Sequence, residues 1–201
     1  MATSWDTFFP LLAPHLPGVP YASMEMALAA ASADFCARTH LWRETLDEEE
    51  TVAGEATYEL FGSAVIESVL AVTLSGARVV HSDRRLLRPS YLTANGRPTH
   101  FSVVGDKAIR FSPIPDAAYP FVVDVALKPA RTATGVETWI YETWADALVD
   151  GAVWRLARIP DKSWSNLALA NEHKARFDRA IANAKTRDLR QINLRVNMRG
   201  F

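Results

Sequence analysis

His81 and Asp83 are two residues apart. On a strand that spacing puts both on one face, the arrangement of a general base and the carboxylate that orients it. His100 is the third residue such a site would draw on. The same spacing equally serves a plain surface pair. His15, His40, His81, His100 and His173 include no His-x-x-x-His spacing, and Cys36, the single cysteine, rules out a cysteine-based zinc site. Cys36 follows Phe35 in an apolar stretch, where a small buried thiol is the default over a nucleophile. No Gly-x-Gly-x-x-Gly, no Gly-Lys-Thr/Ser loop and no Gly-x-Ser-x-Gly occurs. No catalytic, cofactor-binding or metal-ligating set is assembled from these residues, and the chain is expected not to be an enzyme.

Charge says more. Residues 43–60 hold seven acids (Glu44, Asp47, Glu48, Glu49, Glu50, Glu55, Glu59) against one base, Arg43. Hard oxygen ligands suit divalent cations, but the run lacks the glycine and the spacing of an EF-hand loop and reads as a solvated face or loop. Arg84, Arg85 and Arg88 are placed to contact phosphate, with Tyr91 as the one nearby aromatic. The formal net charge of −1 hides an asymmetry. From 171 onward, eight basic residues (Lys174, Arg176, Arg179, Lys185, Arg187, Arg190, Arg195, Arg199) face three acids (Glu172, Asp178, Asp188), a net of +5 that leaves −6 for residues 1–170. Such a split predicts a tail that touches a polyanion or an acidic protein face.

The 201 residues, 49% hydrophobic and 22% charged, suit one soluble globular domain with or without an appendage. No apolar run of membrane-spanning length occurs, so no membrane role is expected. One cysteine cannot make a disulfide scaffold. Residues 1–20 have no basic start and carry Asp6 and four prolines, so no secretory signal is expected.

The elements come in blocks. Residues 1–41 read as helical, with a Ser4 cap before Trp5, Phe8, Phe9 and Leu12, a bend at Pro10, and a second helix on Met24, Ala27, Leu28, Ala31 and Phe35. Residues 42–130 read as a β-rich insert. Ile66, Leu70, Val72 and Leu74 alternate in it, as do Phe121, Val123, Val125 and Leu127, and a hairpin is expected about Gly105-Asp106. Residues 83–93 read as a short helix or a loop. Residues 131–187 are helical again. Thr134-Gly135-Val136-Glu137 has the form of a capping box, Gly151 and Ala152 admit a close neighbour helix, and Pro160 ends the first helix. A second helix runs from about Ser163 with Leu167, Ala170, Phe177, Ile181 and Ala184 as a narrow stripe. Four of the six tryptophans lie from Trp139 to Trp164, so packing of these two helices is expected to depend on them. Helix, sheet and helix in separate blocks predict an α+β body over 1–187: a helical bundle with a central antiparallel β-rich region.

Residues 188–201 read as an extended C-terminal arm. Ile192, Leu194, Val196 and Met198 alternate with Asn193, Arg195, Asn197 and Arg199, a strand with one apolar and one basic-polar face. A terminal strand must find an edge or a groove. It either folds back as the last strand of its own sheet or leaves the body for a neighbouring subunit or another protein. The preceding helix, with its narrow stripe, favours departure. Arg187, Arg190, Ile192, Leu194, Arg195, Val196, Met198, Arg199 and Phe201 are the candidate partner-binding residues.

Four blocks then carry a resemblance. They are Ser4-Trp5-Asp6 with Phe9-Pro10 and Pro17-Gly18-Val19-Pro20; Ala29-Ala30-Ala31 with Asp34-Phe35-Cys36-Ala37-Arg38-Thr39 and Trp42; Ala126-Leu127-Lys128-Pro129-Ala130-Arg131-Thr132; and Ile159-Pro160-Asp161-Lys162-Ser163-Trp164-Ser165-Asn166. In this order and spacing, over nearly the whole chain, the sequence resembles the head-to-tail adaptor (connector) proteins of tailed, podovirus-type phages. The resemblance implies a structural virion protein of the neck, assembled in the host bacterial cytoplasm. It implies a homo-oligomeric ring, commonly a dodecamer, beneath the portal protein, with a tail nozzle or tail tube protein on its other side. It implies DNA passing through the lumen and a C-terminal extension that docks on the portal. Residues 47–50 are a candidate for an acidic lumen that repels DNA. Two other readings stay open: a small cytosolic hydrolase-like enzyme using His81, Asp83 and His100, and a nucleic-acid-binding assembly factor using the basic tail.

Overall fold

The computed structural model describes residues 2–83, 85 and 89–198, with the backbone alone for Ser90 and 188–198. The chain forms two compact units, one of Met1–Leu41 with Lys128–Phe201 and one of Trp42–Leu127.

The first unit begins with a strand, β1 (Ala2–Ser4), where only helix was expected. Ser4 does cap the next turn, a 3-10 helix over Trp5–Phe8; its hydroxyl accepts from the Asp6 N–H at 3.4 Å. Helix α1 (Phe9–Leu12) carries Pro10 in its first turn, where a missing N–H costs no hydrogen bond, so Pro10 opens the helix rather than bending it. Helix α2 (Tyr21–Thr39) buries Met24, Ala27, Leu28, Ala31 and Phe35, the stripe expected of it. It stops where His40 turns left-handed (φ 52°) and donates its N–H to the Cys36 carbonyl at 2.9 Å.

The second unit holds β2 (Arg43–Thr45), β3 (Glu49–Glu50), β4 (Thr57–Glu59), β5 (Val65–Leu74), β6 (Ala77–Arg78), β7 (Val80–His81), α3 (Pro89–Thr93), β8 (His100–Val104), β9 (Ala108–Ser112) and β10 (Pro120–Lys128). One sheet runs β2-β10-β5-β6, with β3 also on β10; the other runs β4-β9-β8-β7. The hairpin of β8 and β9 pairs Val104 with Ala108 across Gly105, whose φ of +60° a side chain would disfavour. Residues from both sheets share one core, including Tyr58, Ile66, Val72, Phe101, Ile109, Phe111, Phe121, Val123, Val125 and Leu127. Tyr58, Phe111 and Phe121 meet edge-on there, at 5.2–5.6 Å between centroids.

The chain then returns to the first unit as β11 (Gly135–Glu137), α4 (Thr138–Ala157) and α5 (Leu167–Met198). The capping box does not form. Glu137 is the N-cap of α4 but makes no side-chain capping bond to the first turn, and residues 135–137 pair antiparallel with β1 instead. Gly135 is the cause: a Cβ there would lie 2.1 Å from the Thr3 carbonyl oxygen, so only glycine lets the backbones meet. Gly135→Ala is expected to release β1. Amide exchange at residues 3 and 4 should rise to free-chain rates while the helices stay protected, at a cost of about 1–3 kcal/mol.

Helices α2, α4 and α5 pack together. Helix α4 is interrupted at Trp144 (φ −131°, ψ 16°). Gly151 lets the three meet: a Cβ there would approach the Phe177 ring to 2.8 Å and the Ala31 methyl to 2.9 Å. On α5, Ala170, His173, Phe177, Ile181 and Ala184 are buried, and residues 185–187 are exposed. The arm differs from expectation. Residues 188–198 continue α5 as helix, and they add no strand to any of the three sheets among the described residues. A helix already formed gains one hydrogen bond per added residue, whereas a lone strand gains none. Leu189, Ile192 and Val196, spaced three and four apart, suit the helical period as well as the alternation suits a strand. Arg199 and Phe201 lie outside the described residues. The fold is mixed α+β, with five α-helices and several antiparallel sheets among the described residues.

Candidate functional site

The residues singled out for acid–base chemistry do not converge. β7 and β8 run parallel with Val80 beside His100 and His81 beside Phe101, so His81 and His100 point to opposite faces of the sheet. His81 lies edge-on to Phe101 at 5.1 Å, while His100 faces Tyr91 at 5.7 Å and bonds the Thr99 hydroxyl at 2.9 Å. Asp83 does not orient His81 with a hydrogen bond; its carboxylate accepts the Arg85 N–H at 2.9 Å. Arg84 and Arg88 lie outside the described residues, and Arg85 is exposed.

Cys36 is buried, and burial pushes its thiol up to about 12, which removes the thiolate that nucleophilic or metal chemistry needs. Among the described residues no group of three His, Cys, Asp or Glu side chains could hold a metal ion. The acids at 47–50 are exposed, and Glu44 is occupied by the Ser63 N–H at 3.2 Å and by the Ser63 hydroxyl. No helix among the described residues is long and apolar enough to cross a membrane.

The dense chemistry lies where α2, α4 and α5 meet. Arg155 on α4 bonds Asp34 on α2 at 2.8 Å, and Arg38 on α2 bonds Asp178 on α5 at 2.8 Å. Lys174 closes the chain on Asp178 at 2.6 Å. Three cations surround the Trp154 ring: Arg155 at 4.6 Å, Arg158 at 5.3 Å and Lys174 at 5.4 Å from its centroid. A ring face attracts cations, so Trp154 ties α4 to α5 as the sequence led one to expect of the tryptophans.

Deeper in, His173 Nδ1 meets Asp150 at 2.6 Å, with the His15 ring edge-on to His173 at 4.9 Å. Residues 15, 150 and 173 are too far apart in sequence for spacing to reveal them. The one available signal is a histidine on the stripe Ala170–Phe177–Ile181, at a position that should be apolar. Burial raises the Asp150 carboxyl above its ordinary value, against the His173 hydrogen bond and the Arg176 charge that lower it; Asp146 adds to the rise. A carboxyl raised on folding stabilises below its unfolded value, and that contribution is lost as pH rises through the folded one. The Tm of Asp150→Asn relative to the parent should therefore move in the variant's favour from about pH 3.5 to about pH 7, read by thermal melts across that range.

These contacts hold the three helices together; among the described residues the outward features are charged helix surfaces and exposed apolar side chains. Comparison supplies the class. The model of the SU10 adaptor protein family matches residues 11–199. The chain belongs to that family of phage adaptors, which makes it a structural component of a virion. A search of the curated proteins finds no match.

Proposed function

We propose that this adaptor is one subunit of a homo-oligomeric ring, a dodecamer by family resemblance, that joins the portal protein to a tail nozzle or tail tube protein and lets DNA pass through its lumen. The C-terminal segment carrying Arg187, Arg190, Ile192, Leu194, Arg195, Val196, Met198, Arg199 and Phe201 is the portal-docking element. Its described part, residues 188–198, approaches as a continuation of α5 rather than as the extended strand its alternation suggested. The single observation that carries this reading is the length of α5. Its 32 residues span about 48 Å at 1.5 Å per residue, yet its buried stripe, as far as side chains are described, ends at Ala184. A helix that continues past three exposed residues and carries a basic excess is suited to a partner. The exposed acids at 47–50 suit a lumen that repels DNA.

Removing residues 188–201 tests this. The truncated chain should keep its helical circular dichroism and its Tm within about 2 °C, because residues 185–187, which precede the cut, are already exposed, and it should no longer co-sediment with the portal. Undiminished portal binding would overturn the assignment. In the full chain, Ile192→Asp with Val196→Asp, four apart on one helix face, should give the same loss, because each buried aliphatic side chain contributes about 1.5–3 kcal/mol.

A further inference from the structure

Two of the places where apolar side chains are exposed differ in the charge beside them. On the first unit, a groove of about 460 Å³ runs between α2 and the end of α4. Its floor includes the buried Ala27 and Leu156. Its rim has Met26, 75% exposed, and Ile159, 36% exposed. Both charged residues lining it are cations, Arg155 and Arg158. Asp34 already neutralises Arg155, whereas Arg158 is exposed and rests on the Trp154 ring.

On the second unit, Phe61 follows β4, an edge strand of its sheet, and is 75% exposed. Among the described residues no ring packs on it, in contrast to Tyr21, which stacks on Phe9 at 5.0 Å. The burial pattern of Thr57, Tyr58, Glu59, Leu60 and Phe61 alternates, so Glu59 and Phe61 share the outward side. Glu44 lies close by, bonded to Ser63. An aromatic flanked by acids is thus paired in one chain with an apolar groove rimmed by cations. A ring closed by head-to-tail contacts needs two such different, complementary patches on every subunit, and a buried aromatic anchor inside a charged rim is the usual energetic centre of an interface.

We infer that the α2–α4 groove receives Phe61 of a second copy of this chain, with Arg158 facing the Glu59 of that copy. The inference rests on the ring reading above and specifies the surfaces that make the ring. The occupant is this chain itself because its own β4 edge supplies both the aromatic and the opposite charge.

The test uses full-length protein, alone and with portal as template, followed by sedimentation. Phe61→Asp and Arg158→Glu should each weaken self-association at least about tenfold, and both substitutions are at exposed positions, so each variant should keep the parent's circular dichroism. Glu59→Arg alone should weaken it likewise. Combining Arg158→Glu with Glu59→Arg in one chain exchanges the charges at every contact and should restore association. If the parent assembles and Phe61→Asp and Arg158→Glu assemble equally well, the groove is not the joint, and the inference falls while the ring stands. If the double exchange fails to restore what each single change lost, the Arg158–Glu59 pairing is wrong. If the parent forms no oligomer with or without portal, the ring reading falls and takes this inference with it.

Discussion

Phe177→Ala is expected to destabilise the first unit by about 3–5 kcal/mol, a fall in Tm of about 6–20 °C. Phe177 is fully buried on α5. Its ring lies 6.3 Å from both Phe35 and Trp154, and the Arg155 guanidinium sits 5.5 Å from its centroid. Alanine would leave a void bounded by three helices already drawn close at Gly151, so the walls have little freedom to collapse. The cavity cost therefore adds to the lost transfer energy. Differential scanning calorimetry would register the change. A shift below about 2 °C would mean that the three helices do not depend on this ring.

Gly151→Leu is expected to act on the same junction from the other side and to destabilise it as well. Leucine improves helix propensity over glycine by about 0.8–1 kcal/mol, which alone would raise stability. Steric overlap opposes it. The first added carbon already falls 2.8 Å from Phe177 and 2.9 Å from Ala31, and three more carbons follow with no space assigned to them. Overpacking of a dense core costs about 1–3 kcal/mol and sometimes more, so the sign is decided by sterics and α5 must be displaced from α4. Near-ultraviolet circular dichroism should lose the tryptophan signal while helix content persists. Pairing Gly151→Leu with Phe177→Ala should recover part of the loss, because the two share one space.

How far the sequence foretold this depends on the range of each interaction. The β8–β9 hairpin was legible because its cause is local: a glycine between two alternating runs. The α2 stripe was legible for the same reason, through the 3.6-residue period. Thr134 to Glu137 misled because a capping box and a short strand use compatible residues, and the choice was made by Thr3, more than 130 positions away. Residues 188–198 misled because leucine, isoleucine and valine at mixed spacings satisfy two periods at once, and the preceding helix decided between them. The Asp150–His173 pair and the Lys174 cation on Trp154 join elements that no short-range pattern connects. His81 and His100 looked combinable only while the register of β7 on β8 was unknown.

The shielding of Cys36 has a practical side. A lone thiol that is both inaccessible and strongly protonated gives little background to maleimide or nitroxide reagents at neutral pH. A cysteine introduced at an outward position such as Tyr21, 69% exposed, would then carry the whole label, so a single chosen site can be followed by electron spin resonance or energy transfer without first removing the native residue.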